Sequence, residues 1–197
     1  MRRIAPAGVL AGVLSGLLGV LGAGMPGLAQ SPLSPAISPD LSPQDVAAAF
    51  EDAVVDICIP AVIEARRPGS LGLGTRIAVA TGADARGQSG AEPGDTVWDV
   101  AAARGVVLIH EHEGRCVVTA YGPPAAGTLS ETAARVTGAG LGFEQLAATP
   151  GRSVDLSLLR AGGGKRVQVL LNGSEPGMPG HRSRFSVLKA TVFAGQN

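Results

Sequence analysis

A short β-hairpin is the feature of this sequence that most constrains its fold. Two strand-like runs, residues 106–112 and 115–121, flank Glu113 and Gly114, which is the length of a two-residue hairpin turn. Directly opposed residues share a face of a sheet. One face is then apolar and comprises Val107, Ile109, Cys116, Val118 and Ala120. The other face carries His110, His112, Arg115, Thr119 and Tyr121. The pattern therefore predicts an antiparallel pair with a fixed register.

A long helix is predicted before the hairpin. Ser42 is a good N-cap, and Pro43 suits the first helical position. Apolar residues follow at helical spacing as far as Cys58. Pro60 allows this helix to continue only with a bend, or else starts a second short turn.

The rest of the chain predicts a second helix and more strands. Thr128 and Glu131 form a capping-box pattern that opens a short helix through Val136. Further strands are predicted at residues 76–80, 154–158, 167–171 and 184–194. Polar loops are expected at 82–95 and 173–182. The order predicts an α+β domain in which an antiparallel sheet of about five to six strands carries one long N-terminal helix and one short helix on one face.

Residues 1–29 have the pattern of a secretory signal peptide. Two arginines precede an apolar run, and small residues at Gly27 and Ala29 suit a cleavage site. Residues 30–43 are rich in Pro and Ser, which predicts an extended linker, and residues 44–197 are expected to form a single domain. We expect a periplasmic or secreted protein with no stable membrane insertion after cleavage. Retention of the segment as a membrane anchor is the alternative.

The charge of the chain excludes one class of partner. The sequence has 16 basic and 16 acidic residues, and cleavage removes two arginines and no acid, which leaves 14 basic and 16 acidic residues and a net charge of −2. Nucleic-acid binding depends on clustered Lys and Arg side chains at phosphates. Because the sequence contains no basic stripe, we expect no nucleic-acid partner.

The two cysteines are predicted to form a disulfide bond. Cys58 lies on the apolar stripe of the first helix and Cys116 on the apolar face of the hairpin, so a bond between them would join helix to sheet. An exported chain enters an oxidising compartment, where such bonds form and persist. A redox-active pair and two free buried thiols are the alternatives. The wide spacing differs from the C-x-x-C pattern of redox motifs.

His110 and His112 are the candidate metal ligands. Two residues apart on a strand, they point to the same side, and imidazole pairs bind zinc or copper. Glu113 or His181 could supply a third ligand, although nothing in the sequence brings His181 close. Arg115, opposite His112, would place a positive charge where the cation would lie. A zinc or copper site is therefore the alternative to a protein without a cofactor.

The sequence shows no convergent catalytic set. Ser89 lies in the segment GQSG, which is one residue short of the nucleophile pattern G-x-S-x-G. Ser186 and Lys189 spell S-x-x-K, but on a predicted strand they point to opposite faces. We therefore expect no catalytic residue and no cofactor-binding motif.

The layout of a few residues resembles one group of proteins. Phe50 precedes Cys58 on the helix, Trp98 is central, and Cys116 begins a Cys-Val-Val strand segment. In this layout, over roughly residues 44–121, the chain resembles small uncharacterised periplasmic proteins of proteobacteria with one helix cysteine and one strand cysteine. The resemblance implies an exported, disulfide-bonded α+β domain. It implies no activity and no functional residues.

Together these patterns lead to one principal hypothesis. We expect an exported periplasmic protein that is a non-catalytic binding or interaction module and uses the loops at 82–95 and 173–182. Its partner would be an envelope protein or a small ligand. The alternative is a metal-binding protein or metal-dependent hydrolase that uses the strand with His110 and His112.

Overall fold

Strands outnumber helices in the described part of this chain. The computed structural model describes residues 41–72, 74, 76–146, 154–161 and 165–195. The predicted signal peptide, residues 1–29, and the predicted linker up to residue 40 lie outside the described residues. In chain order the elements are α1 (Pro43–Asp52), a π-helical segment (Ala53–Cys58), α2 (Ile59–Glu64), α3 (Gly69–Gly72), β1 (Ile77–Val79), α4 (Ala83–Ser89), β2 (Val97–Val100), a 3₁₀ turn (Ala101–Ala103), β3 (Val107–His112), β4 (Arg115–Tyr121), α5 (Ala125–Gly138), β5 (Phe143–Gln145), β6 (Val154–Arg160), β7 (Val167–Ser174) and β8 (Val187–Ala194).

The eight strands form one antiparallel sheet in the order β1-β2-β3-β4-β8-β7-β6-β5. The predicted α+β fold, with five to six strands, one long helix and one short helix, is therefore wrong. The described chain has eight strands and about four helices, if α1 and α2 count as one bent helix, and the sheet predominates. The two strands that the sequence did not predict are β2 and β5, of four and three residues. Such short segments contain too few residues for an alternating pattern to emerge.

The hairpin forms in the predicted register. His112 pairs with Arg115, and the pairing continues along both strands. Glu113 and Gly114 both have positive φ, at 49° and 73°. This is the backbone of a type I′ turn, whose twist matches that of the flanking strands. Local sequence is sufficient to specify this part of the fold.

One bent helix begins the described chain. The Ser42 hydroxyl accepts from the backbone N–H of Asp45, and the Asp45 carboxylate accepts from the N–H of Ser42, which completes a capping box. The helix passes without a break through the π-helical segment, where the N–H of Ile59 donates to the carbonyl of Val54, five residues earlier. Pro60 has no N–H to donate to the carbonyl four residues before it, so the helix widens and bends here.

The bent helix and α5 pack on the same face of the sheet, called here the core face. Phe50, Val54 and Ile57 of the bent helix are buried in the same cluster as the strand residues of this face. The buried residues of its central strands are Val107, Ile109, Cys116, Val118, Ala120, Leu188, Ala190 and Val192. The predicted apolar face of the hairpin is therefore part of the main hydrophobic core.

The opposite side of the sheet, called here the outer face, carries α4. The polar loop predicted at 82–95 is wrong, because residues 83–89 form this helix. The Tyr121 hydroxyl donates to the carbonyl of Gln88 at 2.6 Å, and the Thr119 hydroxyl donates to the carbonyl of Ser89 at 3.4 Å. Contacts with the sheet hold a seven-residue helix that has no apolar period of its own.

The helix α5 begins three residues before the predicted start at Thr128. Its first N–H, that of Ala125, donates to the carboxylate of Glu175. Glu175 lies 50 residues later in the chain, so the cap comes from the connection after β7. Thr128 lies within the helix, and its carbonyl accepts from the Thr132 hydroxyl at 2.7 Å. A long-range cap therefore replaces the local capping box.

The helix α5 also lies unusually close to β7. A Cβ atom added to Gly173 would be 2.7 Å from the Cβ of Ala125 and 2.8 Å from a methyl group of Leu129. Both distances are shorter than carbon atoms tolerate without displacement. Glycine at this position lets the helix approach the strand.

We expect Gly173→Ala to lower the free energy of unfolding by about 1–3 kcal/mol, because the added methyl group overpacks the contact between α5 and β7. Gly127→Ala is the matched control. Gly127 lies within α5 and has open space where a Cβ would be, so alanine should raise the free energy of unfolding by about 1 kcal/mol through its helix propensity. Urea unfolding curves of the two variants measure both effects. A Gly173→Ala protein as stable as the wild type would contradict the close approach.

Candidate functional site

The two cysteines join the bent helix to the sheet. Cys58 and Cys116 form a disulfide bond with their Cα atoms 5.4 Å apart. Both residues are buried, with 0% and 1% of their surface exposed. Cys58 ends the π-helical segment, and Cys116 is the second residue of β4. The predicted pair is present, and the chain is a disulfide-stabilised protein.

His110 and His112 lie on the outer face, as the hairpin register requires. The segment 90–95, which follows α4, approaches the same side of the sheet. Asp95 on this segment has its Oδ1 atom 3.2 Å from the Nδ1 atom of His112. The segment that we predicted to be a polar loop thus contacts His112, one of the two candidate metal ligands.

His112 is engaged in an ion pair. Its hydrogen bond with Asp95 is the main cause that raises the pKa of the imidazole. Backbone donation from the N–H of Glu92, at 2.8 Å, and the contact with His112 lower the pKa of Asp95. The carboxylates of Glu92 and Glu113 lie 3.9 and 3.8 Å from the Nε2 atom of His112. These acidic groups favour a protonated His112, which does not coordinate metal.

His110 has the opposite environment. It is 4% exposed, and its Nδ1 atom has no hydrogen-bond partner among the described residues. Burial is the main cause that lowers the pKa of His110, and the positive charge of Lys189 lowers it further. A buried imidazole of this kind is neutral.

The metal site predicted from His110 and His112 gains no further ligand in the described structure. Within that part of the chain, no three side chains of His, Cys, Asp and Glu are arranged so that they could hold a metal ion. Glu113, one proposed third ligand, lies beside His112 at ion-pair distance. Zinc or copper binding by this strand stays a prediction.

His181, the other proposed third ligand, holds the connection between β7 and β8. Its Nε2 atom lies 2.8 Å from the carbonyl oxygen of Phe185, and its Nδ1 atom lies 2.9 Å from the Ser174 hydroxyl. A carbonyl only accepts, so Nε2 carries the proton and Nδ1 accepts from Ser174 in the neutral ring. Ser174, His181 and the Phe185 carbonyl therefore differ from a catalytic triad. In a triad a carboxylate orients the histidine, whereas a backbone carbonyl takes that position here. We interpret this contact as an anchor for the connection between β7 and β8, which begins after Ser174 and not at residue 173 as predicted.

A concave surface that the sequence did not predict lies above the disulfide. It has a volume of about 390 Å³ and is called here the basic groove. Its charged residues are Arg66, Arg67, Arg115, Lys165 and Glu111. The other lining residues are Ala61, Val62, Ala65, Pro68, Gly114, Cys116 and Ala194. Four of the lining residues are basic and one is acidic, although the register of the hairpin places the Arg115 side chain on the outer face.

Two of the four cations have a partner. Arg66 forms an exposed ion pair with Glu64 at 3.0 Å, outside the groove lining. The Nζ atom of Lys165 donates to the carbonyl of Ile63 at 3.3 Å, near the end of α2. Within the described residues, neither Arg67 nor Arg115 has an ion pair. Arg67 is the groove arginine with the most remaining hydrogen-bonding capacity, because Arg115 lies opposite His112 and its side chain belongs to the outer face.

The sequence gives little signal for this groove, because its cations come from three separate segments. Arg66 and Arg67 follow α2, Arg115 begins β4, and Lys165 precedes β7. Only the Arg66-Arg67 pair is adjacent in the chain, and two neighbouring arginines are too short a pattern to predict a site. The fold, and not a motif, assembles the charge.

Comparisons with known proteins give no family for this chain: no protein-family model, no curated protein and no solved structure matches it. Separately, none of the described helices combines the length and the apolar character that crossing a membrane requires.

We expect loss of the disulfide to lower the free energy of unfolding by about 4 kcal/mol. The bond closes a loop over a sequence separation of 58, and its removal frees the unfolded chain from this constraint. The test compares urea unfolding of the wild type with that of Cys58→Ala/Cys116→Ala. A reducing agent should destabilise the wild type and leave the double variant unchanged. Equal sensitivity of the two proteins to the reducing agent would contradict a structural role for the bond.

We expect the two histidines to give opposite pH dependences of stability. The pKa of His112 is raised from 6.5, so its stabilising contribution is complete below about pH 6.5 and disappears as the pH rises through the raised value. The pKa of His110 is lowered from 6.5, so the stability that its neutral form provides above about pH 6.5 is lost as the pH falls through the lowered value.

Two substitutions separate these contributions. His112→Gln should cost more stability at about pH 5.5 than at about pH 8.5, whereas His110→Gln should remove part of the loss that the wild type shows on acidification. Asp95→Asn is the control for the first, because it removes the negative charge that His112 contacts. Thermal unfolding at both pH values provides the measurement. Parallel pH profiles for the two histidine variants would rule out this assignment.

Proposed function

We propose that this chain is an exported periplasmic protein whose disulfide-bonded domain is a non-catalytic binding module, and that its ligand occupies the basic groove. The observation that carries the proposal is the groove itself, which offers about 390 Å³ between the end of α2 and one end of the sheet. This volume lies within the usual range for small-molecule sites.

The sequence and the disulfide support export. Residues 1–29 have the charge, apolar run and small-residue cleavage pattern of a signal peptide. A buried disulfide that joins helix to sheet suits a protein that folds in an oxidising compartment. The periplasm meets both conditions.

The contacts of the histidines support binding in preference to catalysis. His112 is paired with Asp95, and His181 is held between Ser174 and the carbonyl of Phe185. Each of these imidazoles is used in a contact that fixes a loop. Ligand binding in the groove requires neither of them.

We expect the protein recovered from the periplasmic fraction to begin at Gln30 and to lack two thiol hydrogens. Cleavage after Ala29 gives this N-terminus, and the Cys58–Cys116 bond removes the hydrogens. Intact mass spectrometry measures both. A variant with Leu17→Arg and Leu18→Arg is the control, because charges in the apolar run should block export and leave a full-length chain. A full-length mass for the wild type would contradict export with cleavage.

The binding part of the proposal is tested on the same sample under native conditions. A bound ligand should appear as an added mass that is lost on denaturation. Ala194→Trp fills the groove without any change in charge, since Ala194 is an exposed residue of its lining. Retention of the added mass by this variant would place the ligand elsewhere.

A further inference from the structure

We propose that the outer side of β6, β7 and β8, called here the open face, binds the open face of a second copy of this chain, which makes the protein a twofold-symmetric dimer. The inference goes beyond the proposed function, because the basic groove lies at the end of α2, on the opposite side of the sheet. It is carried by the apolar residues of the open face and by the way a twofold axis pairs its charges.

The two halves of the outer face are covered differently. The helix α4 packs on β2, β3 and β4, whereas the bent helix and α5 lie on the core face. In the described part of the chain, no helix packs on the outer side of β6, β7 and β8. This half of the outer face is therefore accessible to a partner.

The open face carries apolar side chains where a solvated face usually carries polar ones. Leu159, Leu170 and Phe193 alternate along their strands with residues of the hydrophobic core, so they point away from it. Each of them is half-buried. In an antiparallel sheet with one face in water, this alternation normally places polar residues on the solvated side. Apolar residues grouped on such a surface indicate an interaction site.

Three rows of side chains cross the open face from β6 through β7 to β8. In each row the residues from β6 and β8 form a complementary pair: opposite charges in the first, two hydroxyl groups in the second and two apolar side chains in the third. The register gives the rows as Asp155-Asn172-Lys189, Ser157-Leu170-Thr191 and Leu159-Gln168-Phe193.

A twofold axis parallel to β7 uses this complementarity between two copies. Such an axis keeps each row level with the same row of the partner and lays the partner's β8 over β6. Asp155 then faces the partner's Lys189, and Leu159 faces the partner's Phe193. Leu170 lies on the axis and faces the partner's Leu170. The contact is isologous, as in most dimers, and the strands of the two sheets stay aligned, as in β-sandwiches.

The charges select this axis over its neighbours. An axis along β6 would set Asp155 against the partner's Asp155, and an axis along β8 would set Lys189 against the partner's Lys189. Like charges that face each other repel, whereas the axis along β7 sets each of them against its opposite. The Asp155 carboxylate also accepts from the Asn172 amide at 2.6 Å, within the same row. The charged row therefore fixes which strands of the two copies meet.

The flanking strands extend the same match. Glu144 of β5 pairs with Leu159. Arg115 comes one residue before the pair of Cys116 with Val192, so it lies in the row of Leu159 and Phe193. The axis along β7 lays β5 over the partner's β4, and Glu144 then faces the partner's Arg115. Both side chains are exposed and opposite in charge.

The size of the face sets the expected strength of the dimer. Strand spacing of about 4.8 Å and a rise of about 3.4 Å per residue give the strands from β4 to β5 a face of about 24 Å by 20 Å. Two such faces bury roughly 1,000 Å² in total, which is at the lower end for specific interfaces. We therefore expect a dimer that dissociates reversibly at micromolar concentrations.

Sedimentation equilibrium of the full chain, as recovered from cells with its disulfide intact, measures this dimer over a range of protein concentrations. Leu170→Lys sets two like charges against each other on the axis and should weaken dimerisation by about tenfold or more. Val79→Lys is the matched control, because Val79 is an exposed apolar residue on β1, away from the open face. It should change the dissociation constant by less than about twofold. The thermal unfolding temperature of each variant confirms that it is folded.

Charge reversal tests the pairing itself. Lys189→Asp alone and Asp155→Lys alone each set like charges against each other twice, so each variant should dimerise about tenfold more weakly or worse. In an equal mixture of the two variants, a heterodimer has opposite charges at both positions. Its dissociation constant should return to within about threefold of the wild-type value. Damage to the fold by either substitution would not be repaired by mixing.

Three results would each overturn the inference: a wild type that stays monomeric up to millimolar concentration, a dimer that Leu170→Lys leaves intact, and a mixture that associates as weakly as its components. None of them bears on export, on cleavage or on a ligand expelled by Ala194→Trp. Failure of the dimer is therefore separate from failure of the proposed function.

Discussion

The pairing of β4 with β8 is the interaction on which the rest of the described domain depends. Each half of the chain runs from a long helix to four antiparallel strands, and β4 and β8 are the last strands of their halves. Six residue pairs, from Cys116 with Val192 to Tyr121 with Val187, join them. Separated, each half would expose an unpaired strand edge and one side of its core. The central pairing turns two incomplete layers into one continuous sheet.

The disulfide strengthens the same junction. Cys116 belongs to the first of the pairs that join β4 to β8, so the bond from Cys58 attaches the bent helix at the centre of the sheet. The helix α5 covers the second half of the same face, and Gly173 lets it approach β7 closely. On the outer face α4 is held by polar contacts from Thr119 and Tyr121, whose partners are backbone carbonyls. The disulfide and apolar packing thus hold the bent helix and α5 on the core face, whereas hydrogen bonds hold α4 on the outer face.

The sequence predicts the features whose causes are local. The Ser42 cap and the Glu113-Gly114 turn depend on residues a few positions apart, and the structure contains both. The start of α5 could not be predicted in this way, because its cap comes from Glu175. The strands β2 and β5 and the helix α4 are short segments stabilised by their neighbours in the sheet, so they have little pattern of their own. The disulfide pair could be predicted, because the local apolar pattern places each cysteine on a buried face of its helix or strand. The basic groove could not be predicted, because its residues meet only in the complete sheet.

The topology explains why the cations of the groove meet. In an antiparallel sheet the start of one strand lies beside the end of its neighbour, so the start of β4, the end of β8 and the start of β7 lie together at one end of this sheet. Arg115 and Lys165 stand at two of these strand starts. The disulfide then sets the bent helix over the same end, and α2 ends there with Arg66 and Arg67 in the next residues. Strand order and a single covalent bond are therefore sufficient to bring basic residues from three separate segments to one end of the sheet.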